Sequence, residues 1–265
     1  MINIRHYQGG KRMGLLYQES VKVRHYHCNA LGEMTLPAIL DIMLIASNNQ
    51  EATIPEAKEG FRQEGWAWII TQNQIDINRL PRYDEDIIAE TEATTYNKFF
   101  SKRHYALKTR DGLVLAQAET TFALIDLNQR SIVRIPEIVA EWYQVEKEER
   151  PSRRKRLNKE IAVESKLDRF EVKFLDIDLN NHVNNTIYLR WITNSLGMEW
   201  FEKYTPTSFT VAYEKEMYLH QEGAVHSDIS TVSEDLKSGD TFNSQHVIDS
   251  EDKAHCLTEI TWQVK

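Results

Sequence analysis

The chain has 265 residues, of which 41% are hydrophobic and 27% charged, with a formal net charge of -8. That content suits one large soluble domain or two of ordinary size. The acidic balance excludes general nucleic-acid binding, which needs a basic surface to neutralise phosphates.

The opening stretch, MINIRHYQGGKRMGLLYQES, lacks the apolar core of a secretion signal, and Gly9 and Gly10 stand outside any P-loop context. No window approaches 18 continuous apolar residues, so no membrane span is expected. Cys28 and Cys256 sit near opposite ends and form no CxxC pair, so neither a disulfide framework nor a zinc site is indicated. The expected setting is a reducing cytoplasm, with the chain working where it is made.

SVKVRHYHC then alternates, with Val21 and Val23 on the buried face of a strand. His25 and His27 in it form an HxH pair with no third ligand apparent, which is weak ground for a metal. TLPAILDIMLIASNNQEA predicts a helix, with Thr35 placed to cap it and Pro37 suited to its first turn. Leu36, Ile39, Leu40, Met43, Leu44 and Ala46 make it apolar over a wide arc, so it is expected to be buried. Four strand-like runs follow: WAWIITQNQIDI, DIIAETEATTYN, KRHYALKTRDG and LVLAQAETTFALID.

EWYQVEKEERPSRRKRLNKEIAVES, from about 141 to 165, starts as a plausible short helix and is otherwise highly charged. It reads as a linker. Its Arg150, Arg153, Arg154, Lys155, Arg156 and Lys159 fit either a solvated connection or the steering of an acidic partner.

Beyond it the chain repeats itself. FEVKFLDID offers a second strand, with Val172 and Phe174 inward. NNTIYLRWITNSLGMEWF offers a second helix, with Ile187, Tyr188, Trp191, Ile192 and Leu196 on one face. Four more strand-like runs close the chain: SFTVAYEKEMYL, GAVHSDISTVSE, TFNSQHVIDSED and AHCLTEITWQVK. The final strands match best, AETTFALID against TEITWQVK. A strand, a buried helix and a long antiparallel meander, occurring twice, make an α+β tandem hot-dog fold. The expected limits are a hot-dog domain over 1–140, a linker over 141–168 and a second hot-dog domain over 169–265.

The loop DIDLNNHVNNTIY carries the chemistry. Asp178, Asn180 and His182 alternate, and in an extended loop such residues point the same way. A helix starts just after them, capped by Asn184 or Asn181. Its first N–H groups lack internal partners and can polarise a carbonyl. The set suits hydrolysis of an acyl compound without a Ser or Cys nucleophile. The corresponding first-half loop, HCNALGEMT, places Asn29, Leu31 and Glu33 at those positions, so the first half lacks the set. In the strand FTVAYEKEMYLH, Glu216 shares a face with Ala212, Glu214 and Tyr218. If buried at the centre of an apolar strand it would serve as a general base. Met217 beside it is no nucleophile.

DIDLNNHVNNTIYLRW resembles the signature of the acyl-acyl carrier protein (acyl-ACP) thioesterases, specifically bacterial relatives of the plant enzymes. The resemblance covers nearly the whole chain, including GWAWIITQNQIDINRLPRYDE and YEKEM. It implies hydrolysis of fatty acyl-ACP to free fatty acid and ACP in fatty acid biosynthesis, with no metal or cofactor. It places the family's functional Asp, Asn, His and Glu on Asp178, Asn180, His182 and Glu216. Plant members often carry a cysteine where this chain has Met217, and that departure excludes a papain-like Cys–His mechanism here. Two routes stay open: a water deprotonated by the Asp178, Glu216 and His182 set, or direct carboxylate attack to give an anhydride. The acyl chain is expected between a helix and its sheet; Trp66 and Trp68 fit either its wall or ordinary packing. The partner implied is acyl carrier protein, which the basic linker run could attract, and a homodimer is not forbidden. The shorter D-x-N-x-H-V-N-N element also occurs in single-repeat acyl-CoA thioesterases, so that activity is the alternative. A hydratase and a non-catalytic acyl-binding module are the further rivals.

Overall fold

A computed structural model describes residues 14–148, 154–160, 166–229, 232–233 and 235–265. In the first half, β1 (Tyr17–Lys22) leads through a 3-10 turn at His25–His27 into α1 (Leu36–Ala52) and α2 (Pro55–Glu64). The strands β2 (Trp66–Ile77), β3 (Asp86–Tyr96), β4 (Phe100–Thr109) and β5 (Val114–Asp126) follow, then β6 (Ser131–Ile132), α3 (Glu137–Tyr143) and β7 (Glu146–Lys147). The second half repeats the series. Strand β8 (Lys166–Glu171) leads through a 3-10 turn at Phe174–Asp176 into α4 (Asn185–Leu196) and α5 (Met198–Lys203). Strands β9 (Tyr204–Tyr213), β10 (Glu222–Asp228), β11 (Thr241–Ser250) and β12 (Lys253–Val264) complete it.

Sheet order is β1-β3-β4-β5-β2 in one half and β8-β10-β11-β12-β9 in the other, the same permutation twice. The pairs β1–β3, β3–β4 and β4–β5 are antiparallel, as are β8–β10, β10–β11, β11–β12 and β12–β9. This is the tandem hot-dog fold, each half an antiparallel sheet with one long helix on its face.

The described residues fall into two compact units. One gathers those within 1–23, 41–73 and 84–154, the other those within 24–40, 74–83 and 155–265. In the first, Asn49 of α1 reaches Glu19 on β1, and Gln50 meets the buried Arg103 of β4. Phe61 of α2 lies edge-on to both Trp68 and Trp142, so Trp68 is packed into a core cluster with α3. Burial of Met43 and Ala46 here, and of Ile39 and Leu40 in the second unit, matches the wide apolar arc of α1; Thr35 Oγ1, also in the second unit, accepts the Ala38 N–H as its cap.

In the second unit Trp191 of α4 stacks on Phe170 of β8 at 3.9 Å, and Tyr188 lies edge-on to Tyr213 of β9. Two expectations need correction here. The opening strand stops at Glu171, and Phe174 is 79% exposed. After the fully buried Val172 the chain bends, because the Asp176 carboxylate captures the Lys173 N–H at 2.9 Å. The strand containing Val211 ends at Tyr213 and does not run through Glu216. Beyond it, the Glu214 and Lys215 N–H groups both turn to the His255 carbonyl.

The interior of this unit is not wholly apolar. His246, fully buried, touches Ser244 Oγ through Nε2 and Ser227 Oγ through Nδ1, each at 2.8 Å. Ser244 also accepts the indole N–H of Trp262, and Ser227 lies 3.4 Å from Ser195 on α4. A neutral imidazole has one donor and one acceptor nitrogen, and serines can serve both. Burial pushes the His246 pKa down to about 3, partly opposed by Asp228. The unfolded chain, with histidine near 6.5, therefore binds this proton more readily than the folded one. Stability from the neutral ring is fully present above about pH 6.5 and is lost as pH falls towards 3. Within that window wild type should lose about 1.4 kcal/mol per pH unit through this group. Urea unfolding at several pH values should show that component absent in His246→Gln; identical slopes in the two proteins would contradict it.

Candidate active site

The loop before α4 is built around a buried carboxylate. Asp176, 5% exposed, accepts the Lys173 N–H through Oδ2 and bonds the Arg190 guanidinium of α4 through Oδ1. Its own carbonyl accepts the Asn184 N–H at 2.9 Å. Asn184 then caps the helix, its Oδ1 accepting the Thr186 N–H at 3.0 Å. Asn181 is not the cap. It takes a left-handed conformation (φ 65°) at the tip of the turn, which asparagine tolerates better than most residues.

Residues 178–182 are therefore a tight reversal and not an extended run. Ile177 pairs with Val183 across it, and the Asp178 N–H donates to the His182 carbonyl at 3.0 Å. Asp178 Oδ1 accepts the Asn180 N–H at 2.8 Å, and the Asn180 side-chain amide donates to Oδ2 at 3.2 Å. Asn180 is thus turned onto Asp178. Leu179 at the tip is wholly exposed.

The first half builds the same turn from different side chains. Asn29 N–H donates to the Glu33 carbonyl, Asn29 Oδ1 accepts the Leu31 N–H at 3.0 Å, and Gly32 takes the positive φ of 71°. Cys28 pairs with Met34, whose N–H meets the Pro81 carbonyl as Val183 N–H meets that of Met217. The offset is constant at 149 residues, from Asn29 to Asp178, Leu31 to Asn180 and Glu33 to His182. At the Asp176 position the first half has His27, whose Nδ1 accepts the Arg24 N–H at 3.1 Å. His27 is therefore a turn fastener, with its pKa lowered by burial and by the charges of Arg24 and His25. Glu33, at the His182 position, lies 3.5 Å from Arg82 and 3.7 Å from Lys265.

The second turn brings three ionisable groups together. His182 Nδ1 lies 3.8 Å from Asp178 Oδ1, and Nε2 lies 3.6 Å from Glu216 Oε1. These are ion-pair distances, longer than hydrogen bonds. Asp178 and His182 side chains are about a quarter exposed, Glu216 43%. The burial that would make Glu216 a base within an apolar strand is absent, since it sits on the loop after β9. That loop is pinned instead: the buried Met217 offers its carbonyl to the Val183 N–H at 2.8 Å. The imidazole of His255, on β12, contacts the Lys215 and Glu216 carbonyls through Nδ1 at 3.3 and 3.1 Å. Carbonyl oxygens only accept, so Nδ1 carries the proton. The sequence places Tyr218, here bonded to Glu216, on the face of that residue without giving it a role, and it does not mark Asp176 or His255. The repeat register pairing Asp176 with His27 was the available signal for that aspartate.

Glu214 is bound to Lys159 and Lys155 to Glu259, so these linker cations pair with the chain's own carboxylates. Arg154 lies over the Phe100 ring; Arg150 and Arg153 fall outside the described residues. Cys256 is fully buried with its thiol pushed up to about 12 by burial, which keeps it protonated and unreactive. Among the described residues no cluster of three His, Cys, Asp or Glu could hold a metal ion. A cavity of about 370 Å³ in the first unit is lined by Tyr96, Glu137, Glu141 and Glu146 and includes none of the residues above.

A family model described as the acyl-ACP thioesterase N-terminal domain matches residues 14–143, and its C-terminal counterpart matches 159–264. A chloroplast acyl-[acyl-carrier-protein] hydrolase of Cuphea viscosissima is 23% identical over 95% of this chain and 63% of its own length. The oleoyl-acyl carrier protein thioesterase 1 of Arabidopsis thaliana is 22% identical over 83% of this chain and 65% of its own. The chain thus spans under two thirds of the length of these curated relatives. A solved structure from Lactobacillus plantarum, provisionally named an oleoyl thioesterase, is 28% identical with a TM-score of 0.87, covering 94% of this chain and 96% of that one. The 12:0-ACP thioesterase of Umbellularia californica shares the fold, at TM-score 0.79, 16% identity and 94% of each chain.

Two neighbouring aspartates should behave differently when altered. Asp176→Ala leaves the Lys173 N–H and Arg190 without their acceptor and should cost about 2 kcal/mol of stability. Asp178→Asn keeps the acceptor that Asn29 supplies in the first half and should change stability by no more than about 0.5 kcal/mol. Urea unfolding of both variants decides; equal losses would refute the distinction.

Proposed function

The chain belongs to the acyl-ACP thioesterase family, and we propose that it hydrolyses the thioester of fatty acyl-ACP to free fatty acid and ACP. The observation that carries this is the placing of His182 between the Asp178 and Glu216 carboxylates, beside the start of α4. A thioester carbonyl needs a donor for its developing negative charge and a base to prepare the nucleophile. The Thr186 N–H is spent on Asn184 and the Ile187 N–H on the Asn184 carbonyl. The Asn185 N–H is then the first-turn amide left to polarise the carbonyl, aided by the partial positive charge of the helix start.

In this reading His182 and Glu216 prepare the attacking water, and Asp178 orients the imidazole from its other nitrogen. Asn180 holds Asp178 through its amide and helps position the carbonyl. Direct carboxylate attack to give an anhydride is the second route, and it uses the same groups. No resident metal or cofactor takes part. The acyl chain lies between a helix and its sheet, where the side chains are mostly apolar.

The first half, residues 1–140, is then a structural half, 141–168 the linker, and 169–265 the half that carries the chemistry. The relatives' names supply acyl carrier protein as the partner. With Lys155 and Lys159 already paired, the linker run is chiefly a connection. A reducing cytoplasm is the fitting compartment for a chain whose two cysteines are both free thiols. No helix of the described residues is long and apolar enough to cross a membrane.

Thiol release from a series of long-chain acyl-ACP substrates tests the proposal, with the matching acyl-CoA in parallel. Acyl-ACP should turn over faster; equal or better turnover of acyl-CoA would move the chain to the acyl-CoA class. His182→Ala should lower kcat roughly 10²–10⁴-fold in a protein that still folds. A near wild-type rate in that variant would remove the site.

A further inference from the structure

Glu216 is held on both sides. Its Oε1 faces the His182 imidazole at 3.6 Å, while its Oε2 receives the phenol O–H of Tyr218 at 2.6 Å. A carboxylate has no proton to give, so the phenol is the donor, and 2.6 Å is the length of a charge-assisted O–H···O⁻ bond. The two residues lie two apart on the loop after β9, outside any helix or strand.

The tyrosine is itself fixed. Its N–H donates to Gln221 Oε1 at 2.8 Å, and its carbonyl accepts the Gln221 N–H at 3.1 Å. The Gln221 carbonyl accepts the N–H of the fully buried Val172, and the Val172 carbonyl accepts the His220 N–H. His220 closes this turn with a positive φ of 68°. The phenol therefore projects from a braced turn, at the end of a row that runs Tyr218, Glu216, His182, Asp178.

Resting on the hydrolase reading above, we infer that Tyr218 is a positioning residue for the reaction. By occupying Oε2 it fixes the rotation of the Glu216 carboxylate and leaves Oε1 to the imidazole and the attacking water. The bond favours the Glu216 rotamers that face His182. Tyr218 acts through Glu216 and has no contact with the reacting atoms assigned to it. A misplaced base lowers the rate of the chemical step more than it lowers affinity.

Tyr218→Phe removes only the hydroxyl from a partly exposed ring, and thermal unfolding should be unchanged. Thiol release from acyl-ACP should show kcat reduced about ten-fold with KM unaltered. In a Glu216→Gln background, followed by single turnover with enzyme in excess, the same substitution should have no further effect. Two results overturn the inference: wild-type kcat in Tyr218→Phe, or an equal ten-fold loss in both backgrounds, which marks a structural role independent of Glu216. A wild-type chain inert towards every acyl thioester removes the hydrolase reading and this inference with it. An active wild type with an unaffected Tyr218→Phe removes this inference alone.

Discussion

The Asp176 carboxylate is the interaction on which the loop before α4 depends. Buried at the root of the loop, it closes the 3-10 turn through the Lys173 N–H and ties that turn to α4 through Arg190. Its backbone carbonyl receives Asn184, the residue that caps α4. A nearly buried charge is tolerated only where it is paired and hydrogen-bonded. Here those same bonds set where the helix begins and where the 178–182 reversal leaves the fold. The position of His182 thus follows from the bonds of a buried aspartate at the root of the loop.

The first half shows that the reversal itself is independent of the chemistry. Asn29 and Gly32 make the bonds and the positive φ that Asp178 and Asn181 make. An asparagine oxygen serves the turn as well as an aspartate oxygen, because the turn needs only an acceptor two residues before an N–H. What differs is what remains after the turn is satisfied. Asp178 keeps a charge to set against an imidazole. In the first half the facing position is Glu33, which is drawn to Arg82 and Lys265. One backbone design therefore sets a histidine between two carboxylates in one half and a glutamate beside two cations in the other.

The second unit also holds a closed circuit of buried polar groups. Trp262, Ser244, His246 and Ser227 satisfy one another beneath α4. Cys256 is buried, and burial pushes its thiol up to about 12, which keeps it protonated. The carboxylates of Asp178 and Glu216 and the imidazole of His182 lie on two loops, which the Val183 N–H joins by donating to the Met217 carbonyl. Their roots are held by buried residues, Val172 and His255 among them.

Much of this was legible in the amino-acid order alone. The repeat, the buried helices, most of the strands and the loop bearing Asp178, Asn180 and His182 follow from periodicity and local chemistry, since apolar spacing and turn residues are read one neighbour at a time. WAWIITQNQIDI is a strand over its full length because its alternation carries β-branched and aromatic residues. The stretch after Tyr213 was misjudged because its alternation continues while its backbone partners do not. Where a strand ends is set by what its neighbour offers, and there the His255 carbonyl takes two successive N–H groups and ends the ladder. Likewise, spacing placed Asp178 and His182 near one another, but only the folded chain turned that run into a reversal, buried Asp176 beneath it and brought Glu216 to the far side of the imidazole. Sequence determines which groups a segment carries and how it prefers to run. Tertiary structure decides which groups from distant segments meet, because burial and hydrogen-bond partners come from the other elements.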